Sequence, residues 1–385
     1  MPEDWEHGGF GLYIHWPFCQ AKCPYCDFNS HVVAQIDQKA WEAAYLSEID
    51  RIGAETSGRV LRSVFFGGGT PSLMDASVVD AVLTKVRATW GCANDIEVTL
   101  EANPTSVEAG RFARYRDAGV NRVSMGIQAL NDADLKALGR LHTAAEAMAA
   151  FDVARDVFDR VSFDLIYARQ DQTLAGWEAE LRQALDLAID HLSLYQLTIE
   201  DGTAFGDRFA AGRLRGLPED DVAADMYLLT QDICEDAGMV GYEVSNHARP
   251  GAESIHNQIY WRYGDYAGIG PGAHGRLTLQ GQRYATETPL GPAAWLQQVR
   301  QSGSGEKTRT VLTAEDQFAE SLLMGMRLKD GVDLVRLTDN QADLLSNKIK
   351  YLSDIGVIEK DDQRIRLTPK GQPILNAVLR TLLSD

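Results

Sequence analysis

Basic residues are in short supply. Lys and Arg number 37 against 55 Asp and Glu, a net charge of −18. Gripping nucleic acid needs basic stripes facing phosphate, and adhesion to anionic lipid needs the same, so neither is expected as a partner. No apolar run approaches the ~18 residues of a transmembrane helix. The opening MPEDWEHGGF is acidic and lacks an apolar core, so a secretory leader is not expected. Cysteine is scarce, five in 385 residues. A disulfide scaffold is therefore not expected, and the reading is a cytoplasmic chain. No repeat of fixed period is evident. With 45% hydrophobic and 24% charged residues the chain is ordinarily globular, and its length suggests two or three domains.

What is present is an alternation. Short β-rich runs begin at Leu12, Ser63, Ile96, Arg122, Val161 and His191. Between them lie Ala40–Ile52, Ser77–Thr89, Val107–Ala118, Ala144–Phe158 and Gly176–Ala188, whose apolar spacing is helical. Strand–helix alternation implies parallel strands with right-handed crossovers. The predicted fold is α/β, a partial (β/α)6 barrel over residues 1–248, with function at the C-terminal strand ends. Residues 249–305 form a Gly- and aromatic-rich extension that reads as extended structure and loops, with QSGSGEK at Gln301–Lys307 as a linker. Residues 306–385 read as a winged-helix-like α+β domain. Helices are expected at Thr313–Arg327, Asp333–Leu337, Asp339–Ile355 and Gln372–Leu383, with a hairpin around Asp361–Gln363. Such folds often bind DNA, but the acidity favours a packing or lid role.

Three of the five cysteines, Cys19, Cys23 and Cys26, fall in one stretch at the end of the first predicted strand. Pro17 and Pro24 block a helix there. Zinc prefers four ligands from paired knuckles, and no second knuckle exists; His15, Asp27 or His31 would have to complete it. A [4Fe–4S] cluster held by three cysteines keeps one iron open to an outside chelator. That reading is preferred.

Cys19-x3-Cys23-x2-Cys26, preceded by Tyr13-Ile-His-Trp-Pro-Phe, resembles the radical S-adenosylmethionine (SAM) superfamily. The resemblance implies a [4Fe–4S] cluster on Cys19, Cys23 and Cys26, with SAM on the open iron. It also implies a SAM-binding role for Gly68, Gly69 and Thr70 in FFGGGTPS. Glu101, Gln128 and Asp164 at later strand ends, Arg140 downstream, and Tyr13 and Tyr25 complete that set. An arginine suits the SAM carboxylate, and carboxylates and amides suit its hydroxyls and ammonium. One departure stands out: similar chains continue the fifth strand as Ile-Tyr-Gly-Leu-Pro-Gly-Gln, and this chain has Ile166-Tyr-Ala-Arg-Gln-Asp-Gln172.

The whole chain resembles the coproporphyrinogen III dehydrogenase-like branch. The dehydrogenases carry a fourth cysteine where this chain has Phe28, and a longer arm than the 18 residues before Cys19. Both differences favour the haem-chaperone side of the branch. His256-Asn257-Gln-Ile-Tyr260-Trp261 resembles that side's haem-associated H-N-x-x-Y-W motif. An imidazole can ligate haem iron, and Tyr and Trp offer flat faces to a porphyrin. His247 and His274 are rival ligands. The expected role is to bind haem and deliver it to acceptor haemoproteins, membrane-bound respiratory subunits among them, with transient membrane visits. No catalytic residue is assigned. The alternative is radical decarboxylation of coproporphyrinogen III.

Overall fold

The first strand shows how the sequence builds the sheet. Phe10, Leu12, Ile14 and Trp16 share one face by the two-residue strand period and are fully buried. They join one hydrophobic core with Trp41 and Tyr45 of the helix Gln38–Glu55. Gly11, Tyr13 and His15 point the other way, into the barrel. In the computed structural model, which describes residues 4–334 and 339–384, each of the six expected runs is a strand. They are β1 (Phe10–Trp16), β2 (Val60–Gly68), β3 (Gly91–Ala102), β4 (Arg122–Gln128), β5 (Arg160–Tyr167) and β6 (His191–Gln196). All are parallel and adjacent in chain order. The expected helices form the crossovers, with one change. The stretch expected as a helix over Val107–Ala118 breaks into Ser106–Ala109 and Phe112–Ala118, divided at Gly110, a poor helix former.

The sheet continues on both sides. The short strands β7 (Val240–Gly241) and β8 (Asn246–Ala248) pair antiparallel beyond β6. On the other edge β9 (Asp265–Ile269) runs parallel to β1. The antiparallel β10 (His274–Leu279), β11 (Gln282–Glu287) and β12 (Thr308–Val311) follow it, giving twelve strands in one sheet. The HNQIYW segment, expected as extended, is instead the helix Ile255–Trp261. Ser254 caps it by accepting the Asn257 N–H. Gln301 and Ser302 end the helix Pro292–Ser302, and Gly303 turns the chain with φ 71°.

The C-terminal part is α+β. Helices Ala314–Gly325, Asp339–Asp354 and Leu375–Leu383 pack on a sheet of β13 (Val332–Asp333), β14 (Ile358–Lys360) and β15 (Arg364–Leu367). Leu322, Leu345, Ile349, Ile365 and Leu379 form a core of their own there. The short helix expected at Asp333–Leu337 is not seen at its start, where Asp333 pairs with Arg364; residues 335–338 lie outside the described residues. Bidentate contacts from Arg276 of β10 to Glu320, and the Tyr263 hydroxyl on the same carboxylate, join this part to the barrel.

Candidate cluster and cofactor site at the strand ends

The cysteine loop leaves β1 and folds back on itself. Its stem is a bridge of Phe18 to His31 and Cys19 to Val32, and the Cys26 N–H donates to the Cys23 carbonyl at 3.2 Å. All three thiols are free and half-buried. Burial pushes the Cys19 and Cys26 thiols up, opposed at Cys19 by the Thr70 hydroxyl, which donates to its sulfur at 3.4 Å. Arg140 Nη1 donates to Cys23 Sγ at 3.4 Å. No three His, Cys, Asp or Glu side chains among the described residues converge tightly enough to hold one metal ion. Of the residues weighed as zinc ligands, His15 and His31 turn their Nε2 atoms to Asn29, at 2.9 and 3.1 Å.

The glycine run explains itself here. Gly68 has φ 112°, and a Cβ on it would lie 2.7 Å from the His15 ring. A Cβ on Gly69 would lie 2.7 Å from the Phe18 carbonyl and 3.0 Å from Cys19 Sγ. The Gly69 and Thr70 N–H groups donate to the Trp16 and Phe18 carbonyls at 2.7 and 2.8 Å. The run thus seats against the stem that presents Cys19.

The predicted polar set converges beside it. Gly68 N–H donates to Glu101 Oε2 at 3.2 Å. Gln128, held at φ 74°, donates to Asp164 Oδ2 at 3.0 Å. A non-glycine residue at positive φ is strained, and such strain clusters at functional sites. Burial, and next the Asp164 charge, push the Glu101 carboxyl to about 8. Burial pushes Asp164 to about 6 despite Arg140. The Arg140 guanidinium is anchored on the Asn103 side chain at 2.7 Å and the Gly126 carbonyl at 2.8 Å. Arg140 Nε and Asp164 Oδ1 are buried with no hydrogen-bond partner. Buried polar atoms without partners are costly, so they fit a polar ligand that completes them. Three half-buried thiols beside a buried cation and two carboxyls suit a thiolate-held cluster with a zwitterionic nucleoside. Tyr25 packs near Phe205 and beside Cys23.

Sequence reasoning passed over Asn103 and weighed His15 only as a zinc ligand. Asn103 bridges Arg140 and the Thr70 hydroxyl, at 2.7 and 3.2 Å; its place two residues after Glu101 was the available signal. His15 joins three motifs. Its Nδ1 meets the Tyr13 hydroxyl at 2.9 Å, its Nε2 meets the Asn29 carbonyl of the cysteine loop at 2.9 Å, and its ring touches Gly68. The departure after β5 also resolves. Ala168 and Asp171, where similar chains carry glycine, take φ 56° and 58°, so the left-handed turns persist without it.

The HNQIYW helix lies deeper. His256 is 5% exposed. Its ring stacks on Phe65 at 4.4 Å, with Tyr260 at 4.8 Å and Tyr13 at 6.0 Å. Its backbone N–H donates to Glu97 Oε1 at 3.2 Å. Burial pulls its pKa down to about 3. Asn257 donates to the Tyr242 hydroxyl at 3.1 Å. Tyr260 stacks on Tyr266 at 4.0 Å, and Trp261 lies under Arg327 at 4.7 Å. The motif thus forms a floor under Tyr13 and a seam toward the C-terminal part. Of the rivals, His247 is fully buried and His274 is exposed.

A parallel α/β sheet with a C-x3-C-x2-C loop, a glycine run and paired carboxyls at its strand ends defines a radical SAM protein. The radical SAM superfamily profile matches residues 13–184, and the HemN C-terminal domain profile matches 312–374. The chain is 36% identical to heme chaperone HemW of Escherichia coli, covering 97% of this chain and 98% of that one. It is 38% identical to bovine mitochondrial radical S-adenosyl methionine domain-containing protein 1, covering 97% and 87%. The solved structure of HemN, the coproporphyrinogen III oxidase of E. coli, superposes with a TM-score of 0.81 at 22% identity, over 97% and 90% of the chains. The chain belongs to the radical SAM superfamily, in the coproporphyrinogen III dehydrogenase-like branch that includes HemW. The partial barrel with a C-terminal α+β domain is the HemN fold. No helix among the described residues is long and apolar enough to cross a membrane.

Proposed function

We propose that this chain is a haem chaperone: it carries a [4Fe–4S] cluster and SAM at the strand ends, and it holds haem for delivery to acceptor haemoproteins. The observation that carries the reading is the pair of buried, unpartnered atoms Arg140 Nε and Asp164 Oδ1 beside the cysteine loop, with Arg140 Nη1 donating to Cys23 Sγ at 3.4 Å. Cys19, Cys23 and Cys26 would hold the cluster. When reduced, such a cluster supplies one electron to bound SAM. Arg140 would take the SAM carboxylate, and Glu101, Gln128 and Asp164 its amine and hydroxyls. Tyr13 and Tyr25 would line the pocket, with Gly68, Gly69 and Thr70 seating the Cys19 stem. Haem as cargo draws support from the HemW relatives and from Phe28 in the place of the dehydrogenases' fourth cysteine. The acceptors include membrane-bound respiratory subunits, met from the cytoplasm by transient contact. Asn257, Tyr260 and Trp261 would shape the barrel floor beneath the haem.

Anaerobic preparations should contain iron and sulfide, and Cys19→Ser, Cys23→Ser or Cys26→Ser should each abolish loading. Haemin should give a shifted Soret band. Iron-free wild type, or no haemin binding, refutes the proposal. A second reading, radical decarboxylation of coproporphyrinogen III, is favoured by the HemN fold alone. Protoporphyrinogen IX formed with SAM and reductant would select it.

A further inference from the structure

Reduction adds an electron to an iron–sulfur cluster. Donors hydrogen-bonded to the cluster's sulfurs stabilise that added charge, so they help to set its potential. Two side chains reach cysteine sulfurs here. The Thr70 hydroxyl donates to Cys19 Sγ and Arg140 Nη1 donates to Cys23 Sγ, each at 3.4 Å. Thr70 comes from the loop after β2, and Arg140 from the loop after the helix Asp132–Ala137.

One amide joins these two loops. Asn103 lies just past the end of β3. Arg140 Nη2 donates to Asn103 Oδ1 at 2.7 Å, and Asn103 Nδ2 donates to Thr70 Oγ1 at 3.2 Å. The direction of this chain follows from its members. A guanidinium only donates, so the amide turns its oxygen to Arg140 and its NH2 to Thr70. Thr70 Oγ1 accepts that bond, and its single proton is left for Cys19. Thr70 is 4% exposed, which keeps bulk water from the hydroxyl. Arg140 Nη2 is used up by Asn103 and by the Gly126 carbonyl at 2.8 Å. That leaves Nη1 for Cys23 and Nε for a ligand. The Thr70 backbone is seated independently, its N–H on the Phe18 carbonyl at 2.8 Å.

We propose that the Thr70–Asn103–Arg140 chain sets the reduction potential of the cluster, with Asn103 as its positioning residue. Asn103 aims the Thr70 proton at the Cys19 sulfur and holds the Arg140 guanidinium against the Cys23 sulfur. The cluster takes one electron from a low-potential one-electron donor, and both aimed groups stabilise the reduced form, which raises the potential. An aspartate at 103, of the same shape, would accept from both neighbours. It would draw the Thr70 proton away from Cys19 and add a negative charge beside the cluster, and both changes lower the potential. This assignment rests on the cluster-carrying reading above and names what tunes that cluster.

The test is a potentiometric titration of the full-length, cluster-loaded protein without SAM. Dithionite is the reductant, and the electron paramagnetic resonance of the reduced cluster is the readout. Asn103→Asp and Thr70→Val should each lower the midpoint enough to cut the ratio of reduced to oxidised cluster ~10-fold at a fixed potential, about 59 mV for one electron. Thr70→Ser keeps the hydroxyl and should keep the wild-type midpoint. A wild-type midpoint in iron-loaded Thr70→Val or iron-loaded Asn103→Asp overturns the assignment. So does a fall in Thr70→Ser equal to that in Thr70→Val, which would make the effect one of packing. Should Asn103→Asp load no iron, the two Thr70 variants decide between these outcomes. Iron-free wild type is a separate outcome: it removes the cluster-carrying reading and this assignment with it.

Discussion

Glu101 is where the site works against the stability of the chain. Its carboxyl is raised from 4.5 to about 8, by burial first and by Asp164 second. Between those pH values the folded chain keeps a proton that the unfolded chain has released. Stability therefore falls as pH rises across that window. Each pH unit is worth about 1.4 kcal/mol, so the full window corresponds to about 5 kcal/mol. Relaxation and water penetration around a buried carboxyl cut this to ~2 kcal/mol. Glu101→Gln removes the ionisation and keeps an oxygen for the Gly68 N–H. Urea denaturation of the cluster-free protein at pH 5, 6, 7 and 8 should show variant and wild type close at pH 5. By pH 8 the variant should be more stable by ~2 kcal/mol. The same variant should bind SAM more weakly than wild type at pH 8. Equal stabilities at pH 8, or a gap that does not change with pH, refute the reasoning.

Two further outcomes follow from local geometry. Gly69→Ala should lower iron loading in anaerobic reconstitution while leaving the circular dichroism spectrum intact, because its Cβ would press on the Phe18 carbonyl and Cys19 Sγ; full loading contradicts the fit. Ala168→Gly should raise stability by about 1 kcal/mol in urea denaturation by relieving a left-handed φ of 56°; a loss of stability contradicts it.

The strands β1–β6 were legible because each holds a buried stretch that reads as a short β-rich run between helical spacings. The cysteine loop was legible because three thiols at a strand end leave few chemical options. The HNQIYW helix was not. It is seven residues long and rich in aromatics that favour strands, and its one local signal, Ser254 as a cap, is weak beside that bias. The antiparallel strands β10–β12 were hidden by glycines and turns that read equally well as loops. Asn103, and the joining role of His15, were missed because both are relational: each residue joins segments far apart in the chain, and spacing along the sequence carries no trace of that. The burial of His256 is of the same kind, since it depends on Phe65 of β2 and Tyr13 of β1 filling the space around it.

The stem beneath Cys19 is gripped from both sides, through the Gly69 and Thr70 N–H groups and the Asn29 tie to the far hairpin. None of these grips uses a thiol. The cysteine loop therefore keeps its seat through backbone and amide contacts alone, whether or not its thiols are engaged.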